Sequence, residues 1–244
     1  MKRYRRIILL VFSLLLIAAV ILFYIWNRKI YYPNFGIRIP SNYELHGIDV
    51  SRHQGWINWK QVATMKDKDI RLKFCFIKAT EGVSHTDIFF KINWYRCKKN
   101  GIKRGAYLYF HPAKNGKLQA KQFIKTVPLE KGDFAPVIDF EETNDLSKSK
   151  IIQSLKLCIS TLETKYDKKP IIYCNVDFYN KFVKDELPDY PIWIAHYNRA
   201  FAPRINEQWS FWQHNCKGHV NGIASDVDFN VFSNNDSELS KLCL

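Results

Sequence analysis

Ala135-Pro-Val-Ile-Asp-Phe-Glu-Glu142 is a short apolar run that ends on acids. Read as a strand, its side chains alternate between two faces. Ile138 and Phe140 then face packing. Asp139 and Glu141 stand side by side on the other face, with Cα atoms roughly 6.6 Å apart at strand rise. Two carboxylates on one face repel, so one tends to hold its proton near neutral pH. That is the raw material of general acid catalysis. A D-x-E taken alone is more often a pair of solvated loop acids, so its neighbours have to decide.

Upstream, Lys117 to Val127 sets Ala120, Phe123, Ile124 and Val127 at helical spacing, and downstream Ser147 to Tyr166 carries Ile151, Leu155, Cys158 and Leu162 on one stripe. The acidic run is therefore a strand between two helices. Further upstream, strands are expected at His46–Ser51, Lys73–Thr80 and Arg104–His111. Helices fall between them, one capped by Asn58 and running to about Lys68, one from Thr86 to Asn100. Downstream, Pro170–Cys174 is a strand and Asp177–Lys184 a short helix. Then the rhythm changes. Pro191–Tyr197, Trp209–Gln213 and Val227–Phe232 read as strands joined by polar segments that do not read as helices. Strand-helix alternation with eight strands argues for an α/β chain closed as a barrel. Its length falls below the roughly 250 residues usual for the regular parallel barrel. The expectation is an irregular, TIM-like (β/α) barrel, its helices missing in the last third and its last strands free to run antiparallel. Chemistry in such barrels sits at the C-terminal ends of the strands. Asp49, Glu81, Asp139 and Glu141 fall at such ends, and Asp228 lies in the last strand. Glu81, with Lys78 nearby, reads as a loop brace.

Lys2, Arg3, Arg5 and Arg6 precede an uncharged run from Ile7 to Trp26. Twenty such residues reach about 30 Å as a helix, enough to span a bilayer. A cleaved signal peptide has a core of only about 7–15 residues and ends at a small-x-small site. Here Ala18-Ala19 leads into Val-Ile-Leu-Phe-Tyr-Ile-Trp. The reading is an uncleaved signal anchor over residues 7–26, with residues 1–6 cytoplasmic, a tether over 27–40 and a catalytic domain over 41–244. Positive charge is heavier before the run than after it, which puts the domain on the periplasmic or extracellular side.

The chain carries a formal +14, and seven of its basic residues and none of its acids lie before residue 41. The remainder holds 30 basic against 23 acidic residues, a formal +7. Such a surface suits an anionic polymer or membrane. Zinc-finger spacing, an RNA-binding signature and a concentrated basic block are all missing from residues 41–244, which argues against nucleic acid. The six cysteines show no CxxC and no metal spacing, so no metal is assigned. An oxidising compartment permits disulfides, but Cys75 and Cys174 in apolar strand-like runs read equally as buried free thiols, and no bridge is assigned.

Gly47-Ile-Asp-Val-Ser51, Ile77-Lys-Ala-Thr-Glu-Gly82, Gly105-Ala-Tyr107, Ile138-Asp-Phe-Glu141, Ile192-Trp-Ile-Ala-His-Tyr197, Trp212-Gln213 and Val227-Asp-Phe-Asn230 together resemble the family 25 glycoside hydrolases. These are lysozymes that act as N-acetylmuramidases on peptidoglycan. The resemblance runs in order from about His46 to Phe232. It implies an irregular barrel and cleavage of the β-1,4 bond from N-acetylmuramic acid to N-acetylglucosamine in peptidoglycan glycan strands, without metal or cofactor. It implies Glu141 as general acid and Asp139 as a carboxylate serving the substrate's acetamido group or the developing positive charge. Asp49 and Asp228 match two further acids of the site. Tyr107, Tyr173, Trp193, Tyr197 and Gln213 match the lining of the sugar groove. An inactive peptidoglycan-binding module and a hydrolase of another N-acetylated glycan, such as chitin, are the competing readings.

Overall fold

The computed structural model describes residues 2–26, 29–199 and 201–244. Met1 of the expected cytoplasmic stretch, and Asn27 and Arg28 of the expected tether, lie outside them. Eight strands close into a barrel. In chain order they are β1 (His46–Val50), β2 (Ile70–Glu81), β3 (Lys103–Tyr109), β4 (Val137–Asp139), β5 (Ile171–Asn175), β6 (Ile192–Ala195), β7 (Phe211–Gly218) and β8 (Val227–Phe232). Strands β1 to β7 pair in parallel, each with the next. β8 runs antiparallel to both β7 and β1 and closes the ring.

Helices cross over after β1 (Trp59–Thr64), β2 (Phe90–Lys99), β3 (Gly116–Thr126) and β4 (Lys148–Tyr166). After β5 the crossover holds a short helical stretch, Val176–Val183, and a six-residue helix, Asp236–Lys241, follows β8. The single antiparallel strand follows from these connections. A parallel return needs a crossover of a dozen or more residues, and the eight residues between β7 and β8 are too few for one. Asn58 caps its helix by accepting from the Gln61 N–H, but the helix stops at Thr64, short of the expected Lys68. The next helix begins at Phe90, four residues after the expected Thr86.

Side chains alternate along each strand, and the inward rows explain where the site lies. The lower interior is aromatic: Phe74 and Phe76 of β2 pack against Phe134 and Phe211, and Phe76 stacks on Trp193 at 4.5 Å between ring centroids. The strands flanking β2 make room with glycines. A Cβ on Gly47 would lie 2.4 Å from the Phe74 ring and 2.5 Å from its carbonyl oxygen, and one on Gly105 would lie 2.5 Å from the Phe76 ring. Two residues further along the same rows stand Asp49 and Tyr107. Gly47→Ala is therefore expected to cost about 1–3 kcal/mol through overpacking. Chemical denaturation with the midpoint and slope both fitted reads this directly; an unchanged midpoint would mean that the Phe74 layer yields freely.

Residues 29–40, expected as a tether, form a β-hairpin instead. Lys29–Tyr32 pairs antiparallel with Ile37–Pro40. Tyr32, Phe35, Ile37 and Ile39 are buried. Phe35 meets Phe229 of β8 edge-on at 5.2 Å. The hairpin thus packs on the outside of the barrel wall as a separate two-stranded sheet, and the folded unit begins nearer residue 29 than 41. Before it, Lys2–Trp26 is one helix whose described side chains are exposed. Its segment Tyr4–Tyr24, with mean hydropathy 3.1, is long and apolar enough to cross a membrane.

Candidate active site

A cleft of about 270 Å³ opens at the end of the barrel where β1 to β6 finish. Asp49, Asp139, Glu141 and Asp228 all line it, as do Tyr107, Tyr173, Trp193, Tyr197 and Gln213. The nine residues expected from the sequence are thereby brought to one place. β4 ends at Asp139, so Glu141 lies just past the strand. Backbone bonds from Phe110 N–H to the Asp139 carbonyl and from Phe140 N–H to the Tyr173 carbonyl, both 2.9 Å, tie this end of the strand down on either side. Phe140 is fully buried among Phe110, Phe178 and Phe182, which turns both acids to the cleft.

Asp49 is held by a directed network. Its Oδ2 accepts from Gln213 Nε2 at 2.9 Å and from Asn230 Nδ2 at 2.7 Å. The Gln213 carbonyl oxygen in turn accepts from the hydroxyls of Tyr173 and Tyr197, and the Asn230 oxygen from the Trp193 indole N–H at 2.8 Å. Each amide oxygen is occupied, so each NH2 group must point at Asp49. Asp228 faces Asp49 across the β8–β1 ladder.

The electrostatics concern acids kept short of water. Burial pushes Asp139 well above the usual carboxylate range; the Glu141 charge adds to this, and the Lys78 ammonium opposes it. Burial also raises Asp49, aided by the Asp228 charge and opposed by Asn230 and Gln213. Asp228 is pushed up to about 6 by burial and by the Glu141 charge. Close carboxyls of this kind share protons, and their titrations belong to the group as a whole. One Asp139 oxygen, Oδ1, is buried without a hydrogen-bond partner among the described residues.

These raised acids oppose folding at neutral pH. The native state holds its protons more tightly than the unfolded chain. The stability each contributes is complete below the unfolded value near 4 and is lost as pH climbs through the folded value. Asp228→Asn is expected to stabilise the protein at pH 7 by about 1–2 kcal/mol and to do nothing at pH 3. Melting both proteins across that range checks it, and equal curves at pH 7 would refute it.

Four lining residues were not anticipated as site residues: Ser51, His53, Lys78 and Tyr109. Asn230 was also missed in its role, although it shares a strand face with Asp228 and a period of two would have placed it there. Lys78 does brace Glu81, at 2.8 Å, and also lies over the Tyr109 ring. Glu142 anchors the loop beyond Glu141. Burial works against its charge, but hydrogen bonds from Tyr109, Asn144 and His111 hold it below the usual range. Of the expected groove residues, Tyr107, Tyr173, Trp193 and Gln213 are buried and form the floor. Tyr197, 39 % exposed, stands at the rim.

The family model for glycosyl hydrolases family 25 matches residues 48–223, the span that carries all four acids except Asp228. This chain belongs to that family. A solved family 25 glycosyl hydrolase from Bacillus anthracis superposes with a TM-score of 0.77 at 32% identity, over 89% of this chain and 98% of that one. Lysozyme M1 of Streptomyces globisporus is 29% identical over 81% of this chain and 71% of its own length. YegX of Escherichia coli K12 is 44% identical over 84% of this chain and 76% of its own length. This family 25 chain is accordingly a glycoside hydrolase of the muramidase kind, and peptidoglycan is the substrate class of its family.

Proposed function

We propose that the chain is a membrane-anchored lysozyme that hydrolyses the β-1,4 bond between N-acetylmuramic acid and N-acetylglucosamine. In this reading Glu141 protonates the leaving oxygen. Asp139 accepts the N–H of the muramic acid acetamido group while that group's carbonyl oxygen attacks the anomeric carbon. Asp49 and Asp228 surround the positive charge that develops on the sugar ring. Tyr197 offers a ring face to sugar at the rim, and Tyr107, Tyr173 and Trp193 shape the floor.

The observation that carries the reading is the buried, unpartnered Oδ1 of Asp139 beside Glu141. A buried acceptor without a donor is costly, and an amide N–H on the substrate would supply what the protein does not. The uncharged run from Ile7 to Tyr24, exposed throughout and preceded by Lys2, Arg3, Arg5 and Arg6, supports the anchor, with the amino terminus cytoplasmic and the domain outside.

Reducing-end analysis of digested peptidoglycan tests the chemistry. New muramic acid ends are expected. Cleavage of chitin alone would transfer the enzyme to another N-acetylated glycan, and binding without new ends would make it a wall-binding module. Sequencing the mature amino terminus from membranes tests the anchor, and a cut within residues 18–30 would remove it.

A further inference from the structure

A second groove, of about 510 Å³, lies outside the catalytic cleft between the amino-terminal hairpin and the ends of β6 and β7. Lys29, Arg38, Arg199 and Lys217 line it together with Tyr31 and Asn215, and no carboxylate does. None of the four cations has an ion-pair partner among the described residues, whereas lysines elsewhere on the molecule, such as Lys156 and Lys184, find glutamates at 2.8 and 2.9 Å. Lys29 is drawn over the Trp212 ring at 5.2 Å, and burial pushes its ammonium down to about 8. Four cations lining one groove without counter-charges make a site that an anion would complete.

The position of the groove selects the anion. Lys29 is three residues beyond Trp26, the last residue of the apolar helix. Three residues of chain reach at most about 11 Å. The rings of Phe23 and Tyr24, in the last turns of that helix, lie 6.3 and 6.1 Å from Phe201, two residues after Arg199. If the helix spans a bilayer, the groove sits at headgroup depth. We propose that this groove binds the phosphodiester headgroup of an anionic phospholipid in the leaflet from which the catalytic domain emerges. The proposal rests on the anchored reading above. Each basic side chain near an anionic leaflet strengthens attachment about fivefold, so four of them hold the domain down rather than leave it to swing. Asn198 and Arg199 of the groove directly follow Tyr197 of the cleft, and Asn215 and Lys217 lie two and four residues beyond Gln213. A clamped groove therefore also sets the height of the catalytic cleft above the membrane.

The test uses the full chain in nanodiscs of phosphatidylcholine, with or without one third phosphatidylglycerol, followed by amide hydrogen exchange. Residues 29–38 and 215–218 are expected to exchange about fivefold or more slowly with the anionic lipid, the gain of at least one basic contact. The slowing should vanish in Arg38→Glu/Lys217→Glu, which leaves the catalytic residues untouched. Equal exchange in both discs would overturn the proposal. So would equal protection by inorganic phosphate in neutral discs, which would make the groove a general phosphate site. Protection by a muropeptide instead would assign it to stem-peptide carboxylates. Extraction of the native chain by alkaline carbonate would be a failure of the anchor, not of the groove. Preference of the released chain for phosphatidylglycerol over phosphatidylcholine vesicles would then uphold the groove, and no preference would overturn it.

Discussion

Glu141→Gln is expected to lower turnover on peptidoglycan by about 10²–10⁴-fold, the range for losing a positioned general acid. Gln matches Glu in shape and keeps hydrogen-bonding capacity, but it has no proton to give to a leaving sugar oxygen. Glu141 is exposed at the open side of the cleft and forms no ion pair among the described residues, so folding should survive the change. A second readout separates loss of chemistry from a general disturbance. The Glu141 charge helps to raise Asp139, Asp49 and Asp228. Without it those acids should ionise at lower pH, so the loss of stability on raising the pH should be smaller and complete at a lower pH than in the wild type. A variant with wild-type turnover would remove Glu141 from the mechanism. A variant slow in turnover but with an unmoved stability profile would mean that Glu141 does not act on its neighbours as a charge.

How far the sequence announced this site depends on how local each signal was. Ile138 and Phe140 to packing, Asp139 and Glu141 to the cleft, follows from a period of two and needs no tertiary knowledge. The eight strands were also legible, because each is an apolar or aromatic run bounded by polar turns. The hairpin at 29–40 was not read, although Ile37-Arg-Ile39 alternates and Pro33-Asn-Phe-Gly36 supplies a turn with Gly36 at φ 66°. What hid it was position: it follows an apolar helix, and its buried partners, such as Phe229, lie almost 200 residues away. Which side chains bond Asp49 was hidden for the same reason, although a period of two sets Asn230 beside Asp228 and the resemblance set Gln213 in the groove. Asn230 and Gln213 matter only because β8 and β7 bring them to β1, and pairing across the closure of a barrel leaves no trace in either strand alone. The groove tyrosines show the opposite limit. An aromatic residue at a strand end reads equally as sugar platform and as core, and here Tyr173 serves Gln213 through its hydroxyl while its ring packs on Trp193.

Muramic acid stripped of its N-acetyl group is expected to be a very poor substrate, and the reason lies in Asp139. In a double displacement, a carboxylate attacks the anomeric carbon while the acid protonates the leaving group, and the two carboxyls stand about 5–5.5 Å apart across the bond. Substrate assistance is the recognised exception, in which the sugar's own acetamido oxygen attacks. Asp139 and Glu141 come from adjacent positions of one chain segment, whose backbone is pinned on both sides by Phe110 and Tyr173. In the proposed mechanism they would meet the substrate from the same side, which suits an acid and an acetamido holder better than an acid and an opposed nucleophile. Burial also holds Asp139 well above the usual carboxylate range, and its buried Oδ1, without a partner among the described residues, is left to accept an amide N–H. Removing the acetyl group would take away the attacking oxygen and the N–H that completes Oδ1 at once. The loss should exceed that of Asp139→Asn, which keeps a carbonyl acceptor at that position. A thiazoline mimic of the cyclised sugar should inhibit the native enzyme and bind poorly to Asp139→Ala. A glycosyl ester on Asp139, trapped with a fluorinated sugar and found by mass spectrometry, would restore the direct nucleophile and end this account.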